Sequence, residues 1–260
     1  MEYVALGRTD LLVSRTSFSA MRLDCAEIEV FGEGAAEKAA HLVHQAYDGG
    51  INFFVTSRTA PVSEKRLGQA LHGIRQNVYL ATKTNATTGT QLKIDLCISL
   101  DNLESDTVDL YFLENPKDIP LVNGVDGVYN ALTDLKHKGS VKYIGIATED
   151  LDFAKKVVDS GLFDVIQFPF NLLSGEEVEA LVKRCAEKEI GFIAKQPLCG
   201  GIVSNIPLAL GYLHQIENVV PVWSARTPEE LQQILYFQNH PPVIDEQFKE
   251  EAQKLREFFN

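Results

Sequence analysis

Eight short apolar runs, separated by longer amphipathic stretches, set the tightest limit on how this chain can fold. The runs cover residues 17–21, 52–56, 78–83, 108–114, 141–147, 165–170, 191–196 and 219–224, and are rich in β-branched and aromatic residues. That composition predicts strands buried on both faces. Helical periodicity fills the intervals, for example over 35–47, 91–103, 125–138, 176–188 and 228–237. Ser63-Glu64 opens another helix. Thr227-Pro228-Glu229-Glu230 has Thr placed to cap a helix and Pro in its first turn. Gly139 and Gly161 stand where helices should stop.

Strands without a polar face, alternating with helices, predict a parallel sheet covered on both sides. The count of eight, and the absence of GxGxxG after the first run, favour closure over an open doubly wound sheet. The expectation is an α/β chain folded as a (β/α)8 TIM barrel, one domain over 1–260. A β-hairpin, residues 3–6 and 12–13 around Gly7-Arg8-Thr9-Asp10, should precede the barrel. An extra C-terminal helix over 245–259 should carry an apolar stripe of Phe248, Ala252, Leu255 and Phe259. The length of 260 residues and the 45% apolar content suit one such core.

The formal net charge is -12. An acidic surface of this kind argues against unaided binding to nucleic acid or anionic membrane. No charged-then-apolar leader and no run of about 20 apolar residues is visible, so a cytoplasmic protein is expected. Cys25, Cys97, Cys185 and Cys199 are far apart, with no CxxC, and are read as free thiols. The histidines show no HxH or HxxxH spacing. His72, His137 and His240 read as solvated residues near helix ends, and no metal site is expected.

In a closed parallel barrel the loops after the strands gather on one face, and that face carries the site. The ends of the runs hold Met21, 55–60, Lys83, Glu114, 147–148, Gln167, 195–196 and 224–226. Lys83 and Glu114 each close a strongly apolar run, where a charge is costly unless it is paired or functional.

Read in order, the blocks EYVALGRTDLLVS, GGINFF, SEKRLGQAL, YLATKT, SLDNLESDTVDLYFLENP, VKYIGIAT, FDVIQFPFNLL, IAKQPLCGG and RTPEEL resemble the aldo-keto reductases along nearly the whole chain. The resemblance implies a barrel that binds NADP(H) without a Rossmann domain and passes hydride to a carbonyl carbon. In the family a Tyr protonates the carbonyl oxygen, helped by a Lys paired with an Asp, while a His orients the substrate. This is general acid catalysis at a tuned pKa. Aligned on Asn-Phe-Phe and Ser-Glu, the stretch NFFVTSRTAPVSE places Val55 at the family's Asp, Ala60 at its Tyr and Pro61 at the following Gly. The stretch contains no tyrosine, and nearby Tyr79 belongs to a strand interior. Lys83 keeps the family's Lys. Glu114 stands for its His.

The cofactor positions implied by the same resemblance are Gln167, Lys195, Ser224 and Arg226. Gln167 and Arg226 are kept. Lys195 stands for the aromatic that stacks on nicotinamide, and Ser224 for a Gly before the phosphate-binding helix. Ser19 replaces a Gly, Ala147-Thr148 a Ser-Asn pair, and Ile234 an Asn. Some branches of the family carry an iron–sulfur module beyond a segment like 241–260, but nothing in these residues implies such a cluster. Lys83 and Glu114 are the candidate catalytic residues. They are expected to form an ion pair across the barrel mouth, with Arg58 nearby.

Three readings follow. One is a reductase relic kept for binding a small-molecule ligand or a protein partner. Another is an NADP(H)-dependent oxidoreductase with altered chemistry through Lys83 and Glu114. The last is a non-redox enzyme using Lys83 as an amine nucleophile.

Overall fold

The computed structural model describes residues 1–25 and 34–259. Among the described residues there are ten strands: β1 Tyr3–Ala5, β2 Leu12–Ser14, β3 Ser17–Ser19, β4 Phe53–Val55, β5 Tyr79–Thr84, β6 Val108–Glu114, β7 Val141–Ala147, β8 Val165–Pro169, β9 Gly191–Lys195 and β10 Val219–Trp223. The first two form an antiparallel hairpin, and the other eight close into a parallel barrel in the order β3 to β10, with β10 returning to β3. The (β/α)8 expectation holds.

The α-helices between and after the strands are α1 Ala35–Asp48, α2 Pro61–Leu71, α3 Gly89–Asn102, α4 Val128–His137, α5 Leu151–Ser160, α6 Glu176–Glu187, α7 Ile206–Leu213, α8 Pro228–Asn239 and α9 Glu246–Phe259. Local chemistry sets their ends. Thr88, Asp150, Asn205 and Thr227 each accept a backbone N–H from the first turn of the helix they precede. Gly161 ends α5 in the left-handed conformation (φ 66°), which costs little without a Cβ. Asp150→Ala removes a side-chain cap and should lower stability by about 1 kcal/mol in chemical denaturation.

Three boundary differences bear on the site or the core. Helix α4 begins at Val128 rather than at 125, because Gly127 turns the chain at φ 64° and Val125 lies fully exposed in the loop before it. The first and last barrel strands stop at Ser19 and Trp223, so Met21 sits in a 3-10 turn and Ser224 in a loop.

The period-2 alternation of strand side chains divides the core in two. Outward residues such as Phe18, Phe54, Leu80, Tyr111, Ile144 and Ile166 pack beneath the helices. Inward residues Phe53, Val55, Ala81, Leu110, Phe112, Ala147, Val165, Ile193, Val220 and Val222 fill the barrel. Gly145 lacks a side chain because a Cβ there would come within 2.4 Å of the Phe112 ring, which occupies the barrel axis instead.

Leu6, Leu11 and Val13 of the hairpin join the same inner cluster. The hairpin therefore plugs the end of the barrel opposite the mouth. Gly7 makes this docking close: it has φ 58°, and a Cβ on it would lie 2.2 Å from the Gly191 nitrogen. Arg8 then donates its N–H to the Glu189 carbonyl at 2.6 Å. Tyr79 begins β5 at this plugged end and borders the groove there, far from the mouth.

At the same end His214 shares the Gln238 Oε1 acceptor with Thr16. Burial holds the imidazole below its ordinary value, against the opposing effect of Gln238. A depressed folded-state pKa means that the neutral ring is the form the fold favours. Its contribution is present above about pH 6.5 and is lost as pH falls through the depressed value. A His214→Gln variant should accordingly show a shallower loss of stability on acidification below pH 6.5, measured by urea midpoints across pH.

Helix α9 lays Phe248, Ala252 and Leu255 against Leu172, Leu208 and Tyr212, as its stripe predicted, while Phe259 remains partly exposed. The four cysteines are unbridged. Among the described residues no helix is long and apolar enough to cross a membrane, and no His/Cys/Asp/Glu group could hold a metal.

Candidate functional site

The parallel register brings the inward strand ends to one level at the mouth. Ser19 neighbours Val55, Lys83 neighbours Phe112, Glu114 neighbours Ala147, Ala147 neighbours Gln167, and Pro169 neighbours Lys195. A cavity of about 540 Å³ opens there, walled by Ser19, Met21, Arg22, Val55, Lys83 and Gln167, by 195–198, and by Gly200, Gly201, 222–224 and Arg226. Five of the six sequence-derived site residues, Lys83, Gln167, Lys195, Ser224 and Arg226, line this one space. Glu114 is not among the lining residues and pairs with Lys83.

Lys83 is 7% exposed, and its Nζ donates to Glu114 Oε1 at 2.7 Å. The expected ion pair is thus present. The physical cause is local: both residues close adjacent inward-facing strands, and Val55, on the other side of Lys83, offers no acceptor. Ser57 adds a long hydroxyl contact to the second Glu114 oxygen at 3.4 Å.

Arg58 departs from expectation. Its backbone N–H donates to the Lys83 carbonyl, but its guanidinium turns away and meets Glu64 at 3.6 Å. Glu64 is fully buried and also accepts from Thr82 Oγ1 at 2.9 Å and Asn102 Nδ2 at 3.0 Å. The fully buried carboxylate near Lys83 therefore serves to tie α2 to β5 and α3. Ala60 is buried at the start of α2, where its N–H meets the Ser57 carbonyl and its carbonyl accepts from Glu64.

Two further cations of the mouth are also paired. Lys195 donates to Glu149 Oε1 at 2.8 Å. Arg226 at the entry of α8 donates both its backbone N–H and its guanidinium to Glu230, at 2.8 and 2.9 Å. Gln167 is 2% exposed, and its Oε1 has no hydrogen-bond partner among the described residues. Thr148 is buried beside it and donates its N–H to the Gln167 carbonyl. Ser224 is exposed at the rim. Ile234 is buried in the core of α8.

Sequence reasoning missed Glu149, Glu230 and Arg22. Glu230 had a readable signal: it lies four residues past Arg226 on a helix start, the spacing of an i,i+4 pair. Glu149 lies in a loop and Arg22 ends a 3-10 turn, and nothing in the local pattern pointed to them.

Residues 28–207 match the sequence model of the Aldo/keto reductase family. L-galactose dehydrogenase of Arabidopsis thaliana is 29% identical over 244 residues, which are 88% of this chain and 72% of that protein. The uncharacterized oxidoreductase YqkF of Bacillus subtilis is 25% identical over 217 residues, covering 78% and 67%. Among solved structures, the holo form of aldo-keto reductase AKR11C1 from Bacillus halodurans superposes with a TM-score of 0.82 at 21% identity, over 98% of this chain and 96% of that one. The last is a likeness of fold. With more than half of the chain matched by the family's sequence model, the chain belongs to the aldo/keto reductase family.

Proposed function

We propose that the barrel binds a small-molecule ligand at its mouth and does not carry out conventional, tyrosine-dependent carbonyl reduction. One observation carries this reading: among the described residues lining the cavity there is no tyrosine, histidine or carboxylate. Hydride transfer to a carbonyl needs a proton at the developing alkoxide, and no side chain of the usual kind faces the space to give it. Lys83, the one group shared with the family's catalytic set by resemblance, is already held by Glu114.

The NADP(H) that the family implies does not fit these residues well. Gln167, with its unpartnered buried oxygen, suits a carboxamide donor. The Lys195 position has an ammonium bound to Glu149 in place of a stacking ring. The α8 entry carries Glu229 and Glu230, and Glu230 occupies the Arg226 donors that would meet a phosphate. A carboxylate already seated on those donors opposes a second anion there. Cofactor binding is therefore weak in this reading. The experiment is to follow NADPH consumption with a panel of aldehydes.

A second reading, altered redox chemistry through Lys83 and Glu114, is favoured by their 2.7 Å contact and by the 20% exposure of the Glu114 side chain. It requires that any NADPH-dependent turnover vanish in Glu114→Gln.

A further inference from the structure

We infer that the barrel mouth takes a small polyhydroxylated organic anion, a sugar acid or sugar phosphate, with its acidic group on Lys195 and a hydroxyl on Gln167. The inference rests on the ligand-binding reading above and names the class of ligand.

Charge is the first ground. The chain carries 36 acidic and 24 basic side chains, yet four cations, Arg22, Lys83, Lys195 and Arg226, line the cavity with no carboxylate among the described lining residues. The carboxylates that meet three of them, Glu114, Glu149 and Glu230, stand outside the lining. Those partners offset three of the four charges, so an anion gains at this mouth only where its acid group displaces one of them, and in a molecule of net charge -12 such a place is the exception.

Hydrogen bonding is the second. Gln167 lines the cavity, is 2% exposed, and its Oε1 lacks a donor. A buried acceptor without a partner is unfavourable, and a ligand O–H restores the bond. A fully ionised acid group cannot do this, because it only accepts. The ligand must therefore carry a hydrogen-bond donor besides its acid group, and a hydroxyl is the donor assigned here.

Size and walls are the third. About 540 Å³ suits a metabolite-sized molecule. Val55, Val222 and Leu198 supply apolar surface for the C–H face of such a ligand, and Ser19 and Gln196 supply further polar contacts.

Glu149 is the internal competitor. Its side chain is 58% exposed and holds a lysine that is only 17% exposed, so an incoming acid can displace it into water. This gives variants of opposite sign. The full chain is titrated by calorimetry at low salt with D-gluconate, D-glucose 6-phosphate, uncharged D-glucose and NADPH. Both acids should bind saturably, with glucose at least tenfold weaker. Lys195→Gln should weaken the acids by about tenfold or more, as expected for a lost charged hydrogen bond. Glu149→Gln should tighten them about two- to fivefold, the scale of an exposed ion pair. Gln167→Leu should weaken acids and glucose alike.

Glucose binding as tightly as the acids, or neither acid binding, would overturn the assignment. So would acid affinity unchanged in Lys195→Gln; if that variant misfolds, unchanged or weakened acid binding in Glu149→Gln does the same. If the acids fail while an uncharged carbonyl compound occupies the mouth, the anion assignment falls and the ligand-binding reading stands. Tight NADPH binding with aldehyde turnover instead removes that reading itself.

Discussion

Replacing Glu114 by Ala should lower the stability of the fold by about 3 kcal/mol, although the residue lies at the end of a strand beside open solvent. The loss has a specific origin. Lys83 is 7% exposed and its ammonium has one carboxylate partner, at 2.7 Å. Removing one member of a buried pair leaves an uncompensated charge, which costs far more than the net worth of the pair. Removing both members together behaves differently. Lys83→Met with Glu114→Leu puts apolar side chains of similar volume against Val55 and should return stability to near that of the parent. The pattern to look for in guanidinium denaturation is a large effect of Glu114→Ala and a small effect of the double change at constant m-value. Equal losses in both would mean that packing, not charge, explains the position.

The protein should show no NADPH-dependent reduction of simple aldehydes above the rate of a protein-free control. A positioned general acid typically contributes about 10²- to 10⁴-fold, and Ala60 stands where the family resemblance places its tyrosine. The structure adds a reason why a tyrosine from elsewhere does not substitute. Tyr79 is at the plugged end, and Tyr111 points outward, buried, with its hydroxyl on the Leu92 carbonyl. Burial pushes the Tyr111 phenol well above its usual range, so it is a poor acid as well as a distant one. Introducing Ala60→Tyr with Val55→Asp should raise activity only where cofactor binding is also repaired, for example with Glu230→Gln. Measurable activity in the parent, lost on Lys83→Met, would support the altered-chemistry reading instead.

Much of the fold was legible because it depends on patterns that tolerate local error. Eight apolar runs survive a misjudged end, so the barrel, its order and its hairpin follow even though β3 and β10 are shorter than their runs. The start of α4 was misjudged because Val125 looks helical by periodicity, whereas the left-handed turn at Gly127 decides the boundary. Within the site, Lys83 and Glu114 could be paired from sequence because adjacent strand ends are close in any parallel barrel. Arg58 could not be placed: its backbone lies against Lys83, but its side chain follows the buried Glu64, whose role emerges only when α2, β5 and α3 are seen together. The partners Glu149 and Glu230 decide the electrostatics of the mouth. They come from loops and helix starts whose side-chain directions no strand pattern constrains.

The central claim is that this mouth no longer supports cofactor-dependent carbonyl reduction, and one titration addresses it most directly. Nicotinamide fluorescence is followed as NADPH is added up to millimolar concentration, and consumption is then measured at the highest cofactor level with excess aldehyde. The account predicts no saturable change and no consumption above control. A saturable transition at micromolar NADPH, accompanied by aldehyde-dependent consumption in the unmodified protein, would contradict it.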